Sequence, residues 1–361
     1  MHIFAGANAQ GKTNLLEAVY LSATGRSPRT NQEGEMIAWG EEIGRVTADY
    51  LSERRGSLTV EVSLGRKSTD PERQGGSAQK RIKVNGAVRS LADLAGVVPV
   101  VLFLVDDLEI IRGEPARRRA FLDNDLAAMS RTYAWALRQY TRVVDQRNRL
   151  LKDIRDGMGD AESLLPWNAQ MAAFGGRLLE VRTRFLADLN AETGPVYQGL
   201  TASAQQLSLT YRREWGDTAA TPTTRDEFAE LLAAALEEVW PEEIRRGSSL
   251  VGPHRDDLLI RVDGRDIRLY GSQGEQRTGA LALRVAEFAL LNRLLGEPPV
   301  LLLDDILSEL DRTRRAALLA HLAPLAQVIV TTTDVDAIGL PARADVHLYQ
   351  VAEGKAEAIS G

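Results

Sequence analysis

The chain contains no cysteine, which excludes a disulfide framework, a thiol nucleophile and a cysteine-based zinc site. Histidine is nearly as scarce: His2, His254, His321 and His347 are scattered and form no helical metal motif. No stretch approaches the roughly 18 uncharged apolar residues that announce a membrane-spanning helix. The opening Met1-His2-Ile3-Phe4-Ala5-Gly6 has neither a basic region nor a long apolar run, so it does not read as a secretory signal. A cytoplasmic location, with no membrane partner, is the expectation. Lysine is rare too: of 44 basic residues only six are Lys, the remainder being Arg, whose fork suits phosphate. The net charge of −6 excludes a polycation, so any DNA or phosphate binding must come from local patches.

What is present is ordinary globular material, 361 residues with 44% hydrophobic and 26% charged side chains. That length predicts two domains, or one large domain with an insertion. The first hundred residues read as α/β. A short apolar run from Ile3 to Ala5 leads through a Gly-rich loop into a helical pattern at Leu15, Leu16, Ala18, Val19 and Leu21. Strands are predicted over 45–51 and 57–64, the second with Leu58, Val60, Val62 and Leu64 alternating. Residues 65–80 read as a polar connection, Asn85-Gly86 as a type I′ hairpin turn, and 97–105 as a buried strand. Long helices follow over 131–153 and 164–190, then an interruption of two strands or a loop at 207–214, and a helix over 224–239. Strand signals return at 258–262, 300–303, 328–331 and 346–351.

Gly6-x4-Gly11-Lys12-Thr13 is a complete P-loop pattern, placed between a strand and a helix as the motif requires. Its backbone N–H groups, the helix dipole, Lys12 for the β/γ-phosphates and Thr13 for Mg²⁺ together describe a nucleotide phosphate site. The sequence Val300-Leu301-Leu302-Leu303-Asp304-Asp305 is a buried strand ending in two carboxylates, where α/β sheets place ligands. Asp304 would hold Mg²⁺ and Asp305 would orient an attacking water. On its own this is an acidic turn; beside a P-loop it is the expected partner. Gly271-Ser272-Gln273-Gly274-Glu275-Gln276 opens a helix predicted over 277–295, and reads equally as a second anion-binding end or a plain N-cap.

These segments resemble, in order, the ABC-type and chromosome-maintenance-type ATPases, and more narrowly the RecF family of bacterial recombination-mediator ATPases. The resemblance is carried by Asn8-Ala9-Gln10-Gly11-Lys12-Thr13-Asn14 with Glu17-Ala18, and by Asp106-Asp107-Leu108 with Arg117 to Asp123. Gly252-Pro253-His254-Arg255-Asp256-Asp257, Tyr270 to Thr278, Ser308-Glu309-Leu310-Asp311 and Thr331-Thr332-Thr333 complete it, so it spans nearly the whole chain.

The resemblance implies an α/β fold: an ABC-type P-loop ATPase head, a mixed sheet with flanking helices, interrupted by a mostly helical arm domain. Residues 1–105 would be the first part of the head, 106–246 the arm, and 247–361 the rest of the head. ATP would lie against Gly6, Ala7, Asn8, Ala9, Gln10, Gly11, Lys12, Thr13 and Asn14, with Mg²⁺ on Thr13 and Asp304 and catalysis resting on Lys12 and Asp305. Ser272, Gly274 and Glu275 would meet the γ-phosphate held by another subunit, and Ser308 to Asp311 would cross the dimer interface. Thr333 falls where many relatives of the wider class carry a γ-phosphate-sensing histidine, and Asp305 where most carry a glutamate. Family members have a longer segment near the adenine ahead of the P-loop, where this sequence has five residues before Gly6.

By the same resemblance the protein is a weak DNA-stimulated ATPase used as a switch. Its ATP-dependent homodimer would clamp double-stranded DNA at single-strand gap junctions and assist RecA loading with RecO and RecR. An ABC-transporter subunit and a small-molecule P-loop kinase are the rival readings. Candidate DNA-facing residues are Arg131, Arg138, Arg142 and Arg149, which share one helix face, together with Arg112, Arg117 to Arg119, and Lys80, Arg81 and Lys83. A solvated charged face is the plainer reading of that helix. His254 reads as structural.

Overall fold

The computed structural model describes residues 1–30, 32–66, 78–322, 327–334 and 346–359. Along the chain the strands are β1 (His2–Ala5), β2 (Ile43–Ser52), β3 (Gly56–Arg66), β4 (Ala78–Val84), β5 (Ala87–Arg89), β6 (Val100–Phe103) and β7 (Leu207–Arg212). There follow β8 (Asp257–Val262), β9 (Arg265–Asp266), β10 (Val300–Asp304), β11 (Val328–Thr332), β12 (His347–Ala352) and β13 (Lys355–Ala358). The helices are α1 (Lys12–Thr24), α2 (Leu108–Arg112), α3 (Pro115–Met129), α4 (Arg131–Arg155) and α5 (Leu165–Thr201). The rest are α6 (Arg225–Arg246), α7 (Ile267–Tyr270), α8 (Gln273–Leu295) and α9 (Arg312–Leu322).

Two units emerge. One holds Met1–Asp107, Val196–Ala204 and Ala280–Gly361; the other holds Leu108–Pro195 and Gln205–Gly279. The sequence reading cut the chain at 105/106 and 246/247 instead. Residues 247–279 group with the helical unit because β8 and β9 pair with β7 in a three-stranded antiparallel sheet.

In the first unit, β13-β12-β1-β11-β10-β6 form a sheet in which every pairing is parallel except β12 with β13. A strand buried on both faces has no reason to alternate, and Leu301, Leu302 and Leu303 are all fully buried. Helix α1 packs Leu16 against Leu102 and Leu302. Each such leucine contributes about 2 kcal/mol on leaving water. The second sheet, β2-β3-β4-β5, is antiparallel and buries one face through Leu58, Val60, Val62, Leu64 and Ile82. Asn85 and Gly86 take φ of 49° and 78°, the predicted I′ turn.

The predicted strand over 97–105 shortens to β6: Pro99 lacks an N–H, and Val105–Asp107 wind into a 3-10 turn. Most of the expected polar connection, 67–77, lies outside the described residues, while its ends extend β3 and β4.

In the second unit, α4 begins where the Ser130 hydroxyl accepts the Tyr133 N–H, and α6 begins with a capping box between Thr224 and Glu227. Helix α5 continues beyond the predicted stop at Asn190, carrying Pro195 inside it. The apolar spacing resumes there with Val196, Tyr197 and Leu200, all buried. The interruption at 207–214 resolves into one strand, β7, paired with β8.

Buried charge organises this unit around the segment Gly252–Asp257. The Pro253 carbonyl accepts from Arg182 (2.7 Å), and the His254 ring bonds the Tyr140 hydroxyl (2.7 Å). Arg255 donates to the Ser249 carbonyl, Asp256 accepts from Tyr211 and Trp215, and Asp257 receives both arms of Arg118. Arg182 also forks onto Asp123, and fully buried Arg147 pairs with fully buried Glu243. Satisfied in this way, such groups are tolerated; losing one partner of a buried pair typically costs about 3–5 kcal/mol.

Burial pushes the Asp256 carboxyl up to about 6, against the pull of the Tyr211 and Trp215 donors. Burial, with Arg255 beside it, pushes His254 down to about 3. The two act oppositely on stability. Asp256 takes up its proton in the fold near pH 6 but in the unfolded chain only near about 4, so acidification through this range adds stability. His254 is held neutral in the fold while the unfolded chain protonates near about 6.5, so its contribution is lost as pH falls below that value. Between pH 7 and 5 the histidine loses about 2 kcal/mol and the aspartate returns about 1 kcal/mol. The expected result is that Asp256→Asn loses more stability than the parent over that interval, read from urea midpoints at the two pH values. An equal or smaller loss would refute this assignment.

Candidate functional site

The site in the first unit follows from strand register. Parallel pairing sets Ala5 of β1 beside Thr332 of β11, and Thr331 beside Asp304 of β10. The chain leaving β1 and the chain leaving β10 therefore emerge level. Gly6 donates its N–H to the Thr332 carbonyl at 3.2 Å and opens the loop. Ala7, Asn8 and Ala9 are exposed, Ala9 at φ 63° and Gly11 at φ 96°, and α1 begins at Lys12 with Leu15 N–H bonding Gly11 O at 3.2 Å. Positive φ at Ala9 and Gly11 turns the loop back between β1 and α1.

Lys12 is buried, its ammonium donating to the carbonyls of Gly6 (2.7 Å) and Ala7 (2.8 Å). The sequence alone gave this lysine no structural part; here it ties the loop to itself. The Thr13 hydroxyl donates to Asp304 Oδ1 at 3.1 Å. Thr331 donates to the same oxygen at 2.7 Å. A threonine oxygen and a carboxylate at this spacing are hard donors of the kind that fit Mg²⁺ completed by water and phosphate. Among the described residues no group of three or more His, Cys, Asp or Glu could hold a metal, so water and phosphate oxygens would have to complete the shell. Asp305 sits one residue on in the left-handed region, φ 52° and ψ 14°, its N–H donated to Thr331 Oγ1 at 3.0 Å. Asn14 accepts from Arg29 at 3.2 Å.

Sequence reasoning missed the far hairpin. The turn between β12 and β13 grips the loop: Gly354 N–H donates to the Gln10 carbonyl and Glu353 N–H to Gln10 Oε1, both at 2.9 Å. A Cβ on Gly6 would stand 2.4 Å from the Val351 carbonyl oxygen, and one on Gly11 would stand 3.1 Å from the Gly354 Cα. No local signal announces a contact made across more than 300 residues.

The remaining expected residues divide. Ser272, Gly274 and Glu275 lie in the second unit at the start of α8, where Ser272 Oγ accepts the Glu275 N–H (3.2 Å) and Glu275 accepts the Ser272 N–H (2.8 Å). The Ser272 donors hold the Glu275 carboxyl below its ordinary range. Ser272 is exposed and acts as an N-cap. Thr333 is exposed just past β11. Ile306–Glu309 form a 3-10 turn that Arg315 anchors through the carbonyls of Leu307 and Leu310.

The basic candidates need correction. Arg118 is buried against Asp257, Lys80 pairs with Glu33 and donates to the Gly25 carbonyl, and Lys83 pairs with Glu61 at 2.8 Å. Each shares its charge with a carboxylate, Arg118 in a buried pair and Lys83 in a partly exposed one. Arg131, Arg138, Arg142 and Arg149 line the exposed face of α4 as predicted. His254 is buried and hydrogen-bonded, a structural residue.

Gly6→Ala should therefore cost both stability and nucleotide binding. The methyl meets a backbone oxygen that only a strand shift can move, and overpacking of this kind costs about 1–3 kcal/mol. A thermal melt and a nucleotide titration unchanged from the parent would show that β12 does not press on the loop.

No family model matches the chain. Among known proteins, DNA replication and repair protein RecF of Heliobacterium modesticaldum is 38% identical over 357 residues, covering 98% of this chain and 92% of that one. RecF of Chloroflexus aurantiacus is 39% identical over 368 residues with the same coverage. The solved structure of the recombination mediator protein RecF-ATP in the RecFOR pathway superposes with TM-score 0.86 at 31% identity, covering 99% of this chain and 91% of that one. An SMC head bound to the C-winged helix domain of ScpA, at 14% identity and TM-score 0.54, shares the fold alone. Relatives this similar over nearly their whole length place the chain, an α/β ATPase-type head with a helical arm, in the RecF family of DNA replication and repair proteins.

Proposed function

We propose that this protein is an ATP-driven, DNA-binding switch of recombinational repair. The observation that carries the reading is the 3.1 Å contact between Thr13 Oγ1 and Asp304 Oδ1, which aligns a P-loop hydroxyl and a strand-end carboxylate on one cation position. The family's kinship with the RecF-ATP structure supports ATP as the nucleotide and favours repair over transport or metabolite phosphorylation.

In this reading Gly6 to Asn14 bind the phosphates, and Lys12 exchanges the carbonyls of Gly6 and Ala7 for phosphate oxygens. Thr13 and Asp304 would hold Mg²⁺, which supplies charge neutralisation at the β- and γ-phosphates. Asp305 orients water; being one methylene shorter than glutamate, and with Thr333 in place of a histidine, it supports slow turnover. Ser272, Gly274 and Glu275 at the α8 N-terminus serve the nucleotide of a second copy, so ATP closes a homodimer and hydrolysis opens it. The head would take in Met1–Asp107, Val196–Ala204 and Ala280–Gly361, and the arm Leu108–Pro195 and Gln205–Gly279. The clamp takes duplex DNA at single-strand gap junctions in the cytoplasm, with RecO and RecR as partners in RecA loading.

DNA contact through the exposed arginines of α4 would be to phosphate, without base reading. Arg138→Glu with Arg142→Glu should lower affinity equally across sequences and flatten its salt dependence; binding unchanged from the parent would exclude that face.

Dimerisation has its own test. Asp305→Asn keeps the shape but loses the water-orienting carboxylate, so it should accumulate as an ATP-dependent dimer. Ser272→Arg should bind ATP and remain monomeric. Light scattering with ATP and with ADP reads both. An Asp305→Asn protein that stays monomeric with its nucleotide site filled would sink the two-site clamp.

A further inference from the structure

We infer that Thr331 is a positioning residue that couples the two acidic residues of the site through one hydroxyl. It lies on β11, opposite Asp304 in the sheet register, and is fully buried. Three atoms surround its Oγ1: Asp304 Oδ1 at 2.7 Å, the Asp305 backbone nitrogen at 3.0 Å and the Leu303 carbonyl at 3.4 Å. A hydroxyl has one proton and two lone pairs. The shorter distance and the negative charge assign the proton to Asp304, which leaves a lone pair for the Asp305 N–H. The bonds then run in one direction, from Asp305 N–H through Thr331 O–H to the Asp304 carboxylate, each polarising the next.

Two consequences follow for a site that binds Mg²⁺ and orients water, the reading on which this inference rests. First, Asp304 Oδ1 is held from two sides, by Thr13 at 3.1 Å and by Thr331 at 2.7 Å. Only the Thr331 bond would persist once Thr13 turned to the metal, so Thr331 fixes the carboxylate in the loaded state. Second, Asp305 has φ 52°, a left-handed conformation that a non-glycine residue holds only when its surroundings insist. The Thr331 oxygen takes its N–H, while Ser308 Oγ bonds its carbonyl at 2.6 Å from the other side. The side chain that seats the metal ligand therefore also seats the backbone of the water-orienting residue. Valine has the same shape and neither function.

The test compares Thr331→Val and Thr331→Ser with the full-length parent. Two quantities are measured: ATP affinity with EDTA and with Mg²⁺, and the single-turnover rate of hydrolysis. A hydrogen bond to a charged group carries roughly a tenfold to hundredfold effect. Thr331→Val is expected to match the parent in metal-free ATP affinity, because the P-loop is intact. It should lose about tenfold of the affinity that Mg²⁺ adds, and at least about tenfold in rate. Thr331→Ser, which restores the hydroxyl, should recover both. A merely structural threonine would leave the ratio of the two affinities unmoved in either variant. Parent-like Mg²⁺ dependence and rate in Thr331→Val would overturn the inference. Should the valine variant fail to fold, Thr331→Ala read beside Thr331→Ser decides it: a loss in alanine that serine recovers upholds the hydroxyl, and parent-like values in alanine overturn it. A parent whose ATP affinity is indifferent to Mg²⁺ would remove the metal reading itself, a result distinct from any difference among variants.

Discussion

The site depends on one constraint, that two parallel strands must end level. Because β1 and β10 flank β11 with Ala5 beside Thr332 and Asp304 beside Thr331, the phosphate loop and the acidic pair leave the sheet at the same height. A one-residue slip of β10 would turn Asp304 to the other face and bury it under leucine positions. The register is held by burial: Leu301, Leu302 and Leu303 have no exposed surface, so a shift would drive a carboxylate into the core at a cost of several kcal/mol. Apolar packing thus fixes where the chemistry stands. The β12–β13 turn adds a second restraint by bonding Gln10 from above.

The helical unit meets a different requirement. It buries Arg118, Arg147 and Arg182 almost completely, and each is answered by a carboxylate: Asp257, Glu243 and Asp123. Such pairs add little net stability over a well-packed apolar substitute, yet each fixes one geometry, since an arginine fork satisfied by one carboxylate is not satisfied by its neighbour. The segment Gly252–Asp257 contributes a partner at five successive positions, Pro253 to Asp257. That explains why a stretch rich in charge and without catalytic spacing carries family resemblance: its role is to align α3, α4, α5 and β7.

The P-loop, the strand ending in Asp304-Asp305 and the N-cap at Ser272 were legible because each is a local pattern with a local cause. The left-handed turn at Asn85-Gly86 and the alternation of β3 were legible for the same reason. Three things were not. Arg118 and Lys80 look like surface charge in sequence and are committed to Asp257 and Glu33 by tertiary contact. Helix α5 runs through Pro195, where single-residue propensity would stop it, because buried Val196, Tyr197 and Leu200 keep the helical spacing. Thr331 and the Gln10 clamp join elements hundreds of residues apart, and nothing in the neighbourhood of either residue encodes the partner.

In the role proposed for Asp305, the fold would accept a local cost for function. Left-handed backbone costs a non-glycine residue roughly 1–2 kcal/mol, less for aspartate than for most. Glycine would relieve it but carries no carboxylate. The sequence instead keeps the acid and holds the strained backbone with two hydroxyls, Thr331 on its N–H and Ser308 on its carbonyl. Both hydroxyls belong to segments that resemble the family, the Thr331–Thr333 run and the Ser308–Asp311 turn, so a carboxylate shorter than glutamate arrives with a rigid mount. A short acid cannot reach by flexing its side chain; it must be carried to the right place by its backbone. The strain at Asp305 and the hydroxyls that impose it are therefore one device.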